Sequence, residues 1–245
     1  MLLAIDSGNT NIKWGIHDEH RWLVMNVTPQ NSFTVLADSW QSLPPLTQIF
    51  ISNVAGIGIQ EAVSEIIPVS ASKPVWIEAV VSECGLYNNY YQSKSLGSDR
   101  WAAMVSVWNR YHEPCLIVSL GTAMTIDMVS ESGDFVGGII TPGVKVLSNA
   151  LVEKTCLPKA DSGIYDSFSL STENALFTGT IDALVGVIEK SHHAMLSKYG
   201  YKSVRCILSG GDSNIIYPHL NLQFEIIDNL VLNGLVTIAQ SRKGL

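Results

Sequence analysis

Hydrophobic residues arrive in short runs divided by polar, turn-forming clusters, a pattern that predicts strands and helices in alternation. Leu2 to Ile5 reads as a buried strand ending in the turn Asp6-Ser7-Gly8-Asn9-Thr10. Two further runs, Ile12 to His17 and Arg21 to Val27, are divided by Asp18-Glu19-His20, and the three together predict an antiparallel meander. Phe33, Leu36, Ala37 and Trp40 recur at helical spacing. Strands are expected at Gln48 to Ser52 and Val75 to Ala79, with a helix near Gln60 to Ile67 between them.

Further on, Trp101, Met104, Val105 and Trp108 share one face of a helix whose first turn holds Ser98, Asp99 and Arg100. Strands follow at Cys115 to Ser119, Met124 to Val129 and Phe135 to Ile140, the last broken by Thr141-Pro142-Gly143. Lys154 to Leu170 lacks a period and reads as a mobile loop. A long helix from about Thr172 to Leu196, a strand Val204 to Leu208 ending in Ser209-Gly210-Gly211-Asp212, and a helix from about Asp228 to Ser241 complete the pattern. The segment Leu3 to Thr10 can be laid over Leu116 to Ala123, each a strand, a polar position and a small Gly-containing turn into another strand. Either the fold is duplicated, with a cleft between its halves, or two ordinary strand-turn-strand units look alike.

Composition narrows what such a chain can do. Its 245 residues are 47% hydrophobic and 15% charged, enough for one large domain or two small ones and too apolar for disorder. Fifteen Lys and Arg against 22 Asp and Glu give a net charge of −7 with no basic run, which argues against nucleic acid or an anionic membrane surface as a partner. No stretch is apolar enough to span a bilayer, and the first apolar run is cut short by Asp6, so no secretory signal is expected. Cys84, Cys115, Cys156 and Cys206 are widely spaced with no Cys-x-x-Cys pair, and read as reduced packing residues of a cytoplasmic protein.

Candidate chemistry lies in the turns. In Asp6-Ser7-Gly8-Asn9-Thr10, Gly8 permits close backbone approach, Asn9 and Thr10 offer side-chain donors, and converging N–H groups can hold an anion without net charge. Asp6 is placed to hold a hydrated Mg²⁺, and Lys13 to reach a terminal phosphate; an ordinary Asx-type hairpin is the alternative. Gly121-Thr122-Ala123-Met124-Thr125 is a second hairpin of the same kind, and Ser209-Gly210-Gly211-Asp212 would let an adenine or ribose lie against the backbone. In Leu96-Gly97-Ser98-Asp99-Arg100-Trp101, Asp99 is suited to accept a proton from a substrate hydroxyl and Arg100 to hold a carboxylate or a migrating phosphoryl group. A helix N-terminus is expected to keep Asp99 ionised and weakly basic. The bland reading is a charge preference at a helix start with a solvated Arg. His192-His193 diverge on a helix and cannot share a metal, and no Walker loop or nucleophile elbow is present.

Taken in order, Asp6-x-Gly8-Asn9-Thr10, Leu96-Gly97-x-Asp99-Arg100-Trp101, Gly121-Thr122-Ala123-x-Thr125, Gly137-Gly138-x-Ile140-x-Pro142-Gly143 and Ser209-Gly210-Gly211-Asp212 resemble the type III pantothenate kinases, of the acetate and sugar kinase/Hsp70/actin superfamily. The resemblance implies an α/β fold of two ribonuclease H-like domains, 1–114 and 115–245, with mixed sheets, ATP in the cleft between them, and a homodimer. It implies phosphorylation of pantothenate to 4′-phosphopantothenate, the first step towards coenzyme A. By position it makes Asp6, Ser7, Gly8, Asn9, Thr10, Asn11, Ile12 and Lys13 the ATP phosphate loop, with Asp6 near Mg²⁺ and Thr122 a second nucleotide contact. Gly97, Ser98, Asp99 and Arg100 would bind pantothenate, with Asp99 the proton acceptor; Tyr90 matches a substrate tyrosine, and Thr172 a threonine reaching pantothenate from the neighbouring subunit. Two positions depart from the family pattern. Ser119 stands where an Asp usually helps bind an activating K⁺ or NH₄⁺, and Ser93 replaces a Pro in the segment after Tyr90.

Overall fold

A computed structural model describes residues 1–243 apart from 42, 44, 69–71, 156 and 158–162. In chain order the elements are β1 (Leu2–Ser7), β2 (Asn11–His17), β3 (Trp22–Pro29), α1 (Phe33–Gln41), β4 (Gln48–Asn53), α2 (Ile57–Ile66), β5 (Val75–Trp76), β6 (Ser82–Glu83), β7 (Leu86–Asn88) and α3 (Ser98–Tyr111). Then come β8 (Cys115–Leu120), β9 (Ala123–Val129), β10 (Asp134–Pro142), α4 (Val144–Lys154), α5 (Thr172–Tyr199), β11 (Arg205–Ser209), α6 (Ser213–Ile216), β12 (Glu225–Ile226) and α7 (Leu230–Lys243). The chain forms two compact units. One holds Met1–His112, Gly133–Phe135 and the segment from Asn229; the other holds Glu113–Ser132 and Val136–Asp228.

The first unit is a sheet in the order β3-β2-β1-β4-β5. Its first three strands pair antiparallel, and β4 and β5 add on in parallel. Alternation along the strands sends Leu3, Ile5, Ile12, Trp14, Ile16, Ile49 and Ile51 to one face, where Leu36 and Trp40 of α1 and Val63 of α2 close the core. Helices α3 and α7 pack on each other, and both reach the sheet, α7 along β1 and β4, α3 along β4. Trp101, Met104, Val105 and Trp108 of α3 are all buried, as their spacing predicts. The helix ends where His112 turns left-handed and its N–H bonds to the Trp108 carbonyl. The first two residues of β10, Asp134 and Phe135, pair with Tyr87 and Asn88 of β7.

The second unit orders its strands β12-β11-β8-β9-β10, with β8–β9 antiparallel and β8–β11–β12 parallel. Counting from the first strand of each unit, this is the same 3-2-1-4-5 order, so the likeness between Leu3 to Thr10 and Leu116 to Ala123 reflects a repeated ribonuclease H-like topology. Its core joins Leu116, Val118, Leu120, Met124 and Ile126 to Ile181, Leu184, Val185 and Ile188 of α5. Ser171 caps α5 by accepting the Asn174 N–H at 3.2 Å, and Gly200 ends it in the left-handed region.

Several expectations shift. The helix from Asp228 onward groups with the first unit rather than with the second half of the chain. The strand read as Val75 to Ala79 is only Val75–Trp76. Helix α4 forms where no element was expected, and α2 starts at Ile57. Cys156 and residues 158–162 of the segment read as a loop lie outside the described residues. Among the described residues no helix is long and apolar enough to cross a membrane.

Candidate active site

Strand register builds the first half of the site. Asp6 lies opposite Lys13 on β2 and opposite Ser52 on β4, so the three form one row across the sheet. Ser52 is fully buried, and its hydroxyl lies 2.9 Å from that of Ser98, which ties this row to the start of α3. Asp99 and Arg100 follow directly. The residues that sequence patterns separated by more than 90 positions are thereby brought to one place.

Two carboxyls meet there. Burial pushes Asp6 up from 3.8 to about 7, the Asp99 charge adds to the rise, and Lys13 opposes it. Burial also raises Asp99, against the opposing effects of the Arg100 N–H, which its Oδ1 accepts at 2.7 Å, and of the Arg100 guanidinium. The helix N-terminus was expected to hold Asp99 low; loss of water outweighs it, and Asp99 is a better base than its position on the helix suggests. Gly97 precedes α3 with little room to spare: a Cβ there would lie 2.5 Å from Asp99 Oδ1.

Arg100 is buried, and its Nη1 donates to the Tyr90 hydroxyl at 3.1 Å. Tyr90 is itself fixed by Asn88, whose side chain accepts the Tyr90 N–H at 3.1 Å and donates to the Ser93 carbonyl at 3.1 Å. With no Pro at Ser93, this side-chain bridge shapes the segment. Asn88 and the role of Ser52 carry no motif, and only their pairing across strands reveals them.

The phosphate-loop candidate is a tight hairpin. Gly8 N–H bonds to the Asn11 carbonyl at 3.1 Å, the Gln30 side chain donates to the Gly8 carbonyl at 3.1 Å, and Asn9, Thr10 and Asn11 are exposed. Ser7 and Ile12 share the face of Leu3 and Ile5 and are buried, so they can offer a ligand only their main chain. The second hairpin is exposed at Gly121, Thr122 and Ala123. Gly143, which opens α4, donates its N–H to the Thr122 carbonyl at 2.9 Å. Gly210 lies on the other flank with φ near 101°, and a Cβ there would lie 2.0 Å from the Leu120 carbonyl oxygen, so only glycine fits. Thr172 is exposed at the head of α5. In the row Ser209–Ser119–Thr125 across β11, β8 and β9 every side chain is a neutral hydroxyl. Among the described residues no cluster of three or more His, Cys, Asp or Glu exists to bind a metal without help from a ligand.

The fold defines the class. A candidate 2-dehydro-3-deoxygalactonokinase of Sinorhizobium meliloti superposes with a TM-score of 0.64 at 13% identity, covering 100% of both chains. The activator of 2-hydroxyisocaproyl-CoA dehydratase of Clostridium difficile gives 0.55 at 10% identity, covering 100% of this chain and 97% of the other. Likeness this distant shows the fold alone, that of two ribonuclease H-like units. Sequence is more particular. The profile of the type III pantothenate kinases matches residues 2–194. The type III pantothenate kinase of Nitrosospira multiformis is 40% identical over 240 residues, 98% of this chain and 91% of its own. That of Nitrosomonas eutropha is 41% identical over 244 residues, 98% and 95%. The chain belongs to the type III pantothenate kinase family.

Proposed function

We propose that this protein transfers the γ-phosphoryl group of ATP to the primary hydroxyl of pantothenate, giving 4′-phosphopantothenate for coenzyme A synthesis in the cytoplasm. The observation that carries the reading is the meeting of Asp6, Lys13, Asp99, Arg100 and Tyr90 within one unit. Asp99, raised by burial, takes the hydroxyl proton as the phosphoryl group transfers; a loose transition state asks for positioning and late proton acceptance rather than a strong base. Arg100 receives the pantothenate carboxylate, with Tyr90, Gly97 and Ser98 lining the same site. The main chain from Asp6 to Lys13 holds the nucleotide phosphates.

The residues fit Mg²⁺, which needs few carboxylates and keeps several waters. Asp6 would hold it, and the ion would neutralise phosphate charge; its presence would also draw the raised Asp6 carboxyl to its ionised form. The row Ser209–Ser119–Thr125 does not fit a charged monovalent-cation site: it supplies no carboxylate, and Asp127 on the same face of β9 is two pairs further along, about 7 Å by strand rise. Activation by K⁺ or NH₄⁺ is therefore expected to be weak. A homodimer is supported by large apolar side chains left in solvent near the head of α5, Phe168 at 86% and Leu170 at 99% exposure, beside Thr172, the residue that would reach the partner's pantothenate. The experiment is ADP release from ATP with and without pantothenate. Release that requires pantothenate is expected, and release indifferent to it, or driven equally by other hydroxy acids, overturns the proposal.

A further inference from the structure

The packing around Arg100 is completed by a residue that no motif marks. Phe135 is fully buried and belongs to the three-residue segment Gly133–Phe135 that joins the first unit. Its ring centroid lies 5.2 Å from that of Tyr90, the planes tilted by 37°. The Arg100 guanidinium carbon sits over both rings, 5.7 Å from the Phe135 centroid and 5.8 Å from the Tyr90 centroid. Phe135 also pairs in register with Asn88, the residue that fixes the Tyr90 backbone.

A guanidinium that loses water regains part of its solvation from aromatic faces, because it is planar, weakly hydrated and attracted to the ring quadrupole. Contact through the faces leaves the in-plane N–H groups to other acceptors, which is what a carboxylate-binding arginine requires. Tyr90 does this and also accepts a hydrogen bond, so its ring and hydroxyl act together. Phe135 acts through its ring alone. We infer that Phe135 is a positioning residue for acceptor binding: the paired rings of Phe135 and Tyr90 hold the Arg100 guanidinium in the orientation that receives the acceptor's carboxylate. The inference rests on the assignment of Arg100 to the pantothenate carboxylate.

The test uses the full-length enzyme with Phe135 replaced by 4-fluoro-, 3,5-difluoro- and pentafluorophenylalanine, which weaken the quadrupole at nearly constant shape, and the variants Phe135→Leu and Phe135→Tyr. The expected result is a stepwise rise in pantothenate KM along the fluorinated series, reaching about tenfold, with ATP KM and kcat within about twofold. Phe135→Leu falls with the pentafluoro protein, and Phe135→Tyr restores the parent value. Pantothenate KM that is flat across the fluorinated series overturns the inference while leaving the kinase reading standing, as does a loss in which both KM values and kcat worsen together with the melting temperature. An unmodified enzyme whose ADP release ignores pantothenate overturns both readings together.

Discussion

Replacing Asp6 with Asn is expected to make the ligand-free enzyme more stable and inactive. Burial and the Asp99 charge raise Asp6 from 3.8 to about 7. A raised carboxyl holds its proton more tightly in the folded than in the unfolded chain. Its contribution to stability therefore falls as pH climbs from about 4, the unfolded value, to about 7, the folded one. Above that window the ionised side chain subtracts roughly 4 kcal/mol if wholly enclosed. Asp6 keeps some contact with solvent, which screens its charge and lowers the figure to about 2 kcal/mol. Asn has nearly the same shape and no charge, so it removes this penalty at pH 8. Near pH 4 the folded carboxyl is protonated and the unfolded one about half so, and the difference shrinks below about 0.5 kcal/mol. For a chain of this size, 2 kcal/mol corresponds to a rise in Tm of about 4–8 °C. Thermal melts of both proteins with metal chelated, at pH 4 and pH 8, measure the effect, with turnover followed alongside. Equal melting at pH 8, or a gap of the same size at both pH values, would refute the claim that the charge of Asp6 is strained in the fold.

Asp99→Asn is expected to lower kcat by at least about a hundredfold while leaving pantothenate affinity within a few fold by calorimetry, since it removes a proton acceptor and little shape; near-normal turnover would unseat Asp99 as the base. Exchanging K⁺ or NH₄⁺ for Na⁺ is expected to change initial rates by less than about twofold at constant ionic strength, because the row through Ser119 carries no charge; strong activation by K⁺ would place a cation site there after all. Gly210→Ala forces a Cβ against the Leu120 carbonyl at a backbone angle unfavourable to L-residues. It is expected to lower Tm by more than about 6 °C, and a melt within about 2 °C of the parent would show that the turn relaxes freely.

Strand and helix identity was legible wherever the apolar period was strong, as in β1, β2 and α3. It failed where burial was uneven. Helix α4 carries only one buried residue, Val144, so its apolar positions never lined up into a face. The two-residue strands β6 and β12 are too short to show alternation. At the site, Asp6 stood out because it cuts short an apolar run, Asp99 and Arg100 because an acid and a base stand together at a helix start, and Tyr90 only through the family resemblance. Ser52 and Phe135 did not, because serine at a strand end and phenylalanine in a strand are ordinary, and their importance comes from cross-strand partners far away in sequence. The same gap explains Asp99: a helix start is written in the sequence, and the dry surroundings that raise its carboxyl are not.

Helix α7 has a consequence for how the chain matures on the ribosome. Its Gly234 lies so close to α3 that a Cβ there would sit 1.9 Å from the Ala102 carbonyl oxygen, a fit that demands both helices at once. The first unit, begun at Met1, is not closed until the segment from Asn229 has been made. At about 5–20 residues per second, the 116 intervening residues (228 minus 112) delay that closure by roughly 6–23 s. Throughout that interval the apolar side of α3 waits without its partner. Nascent chains stalled before Asn229 are thus the species that a chaperone would be expected to hold, and Asp99, the proposed base at the head of α3, comes into place only once the segment from Asn229 has been made.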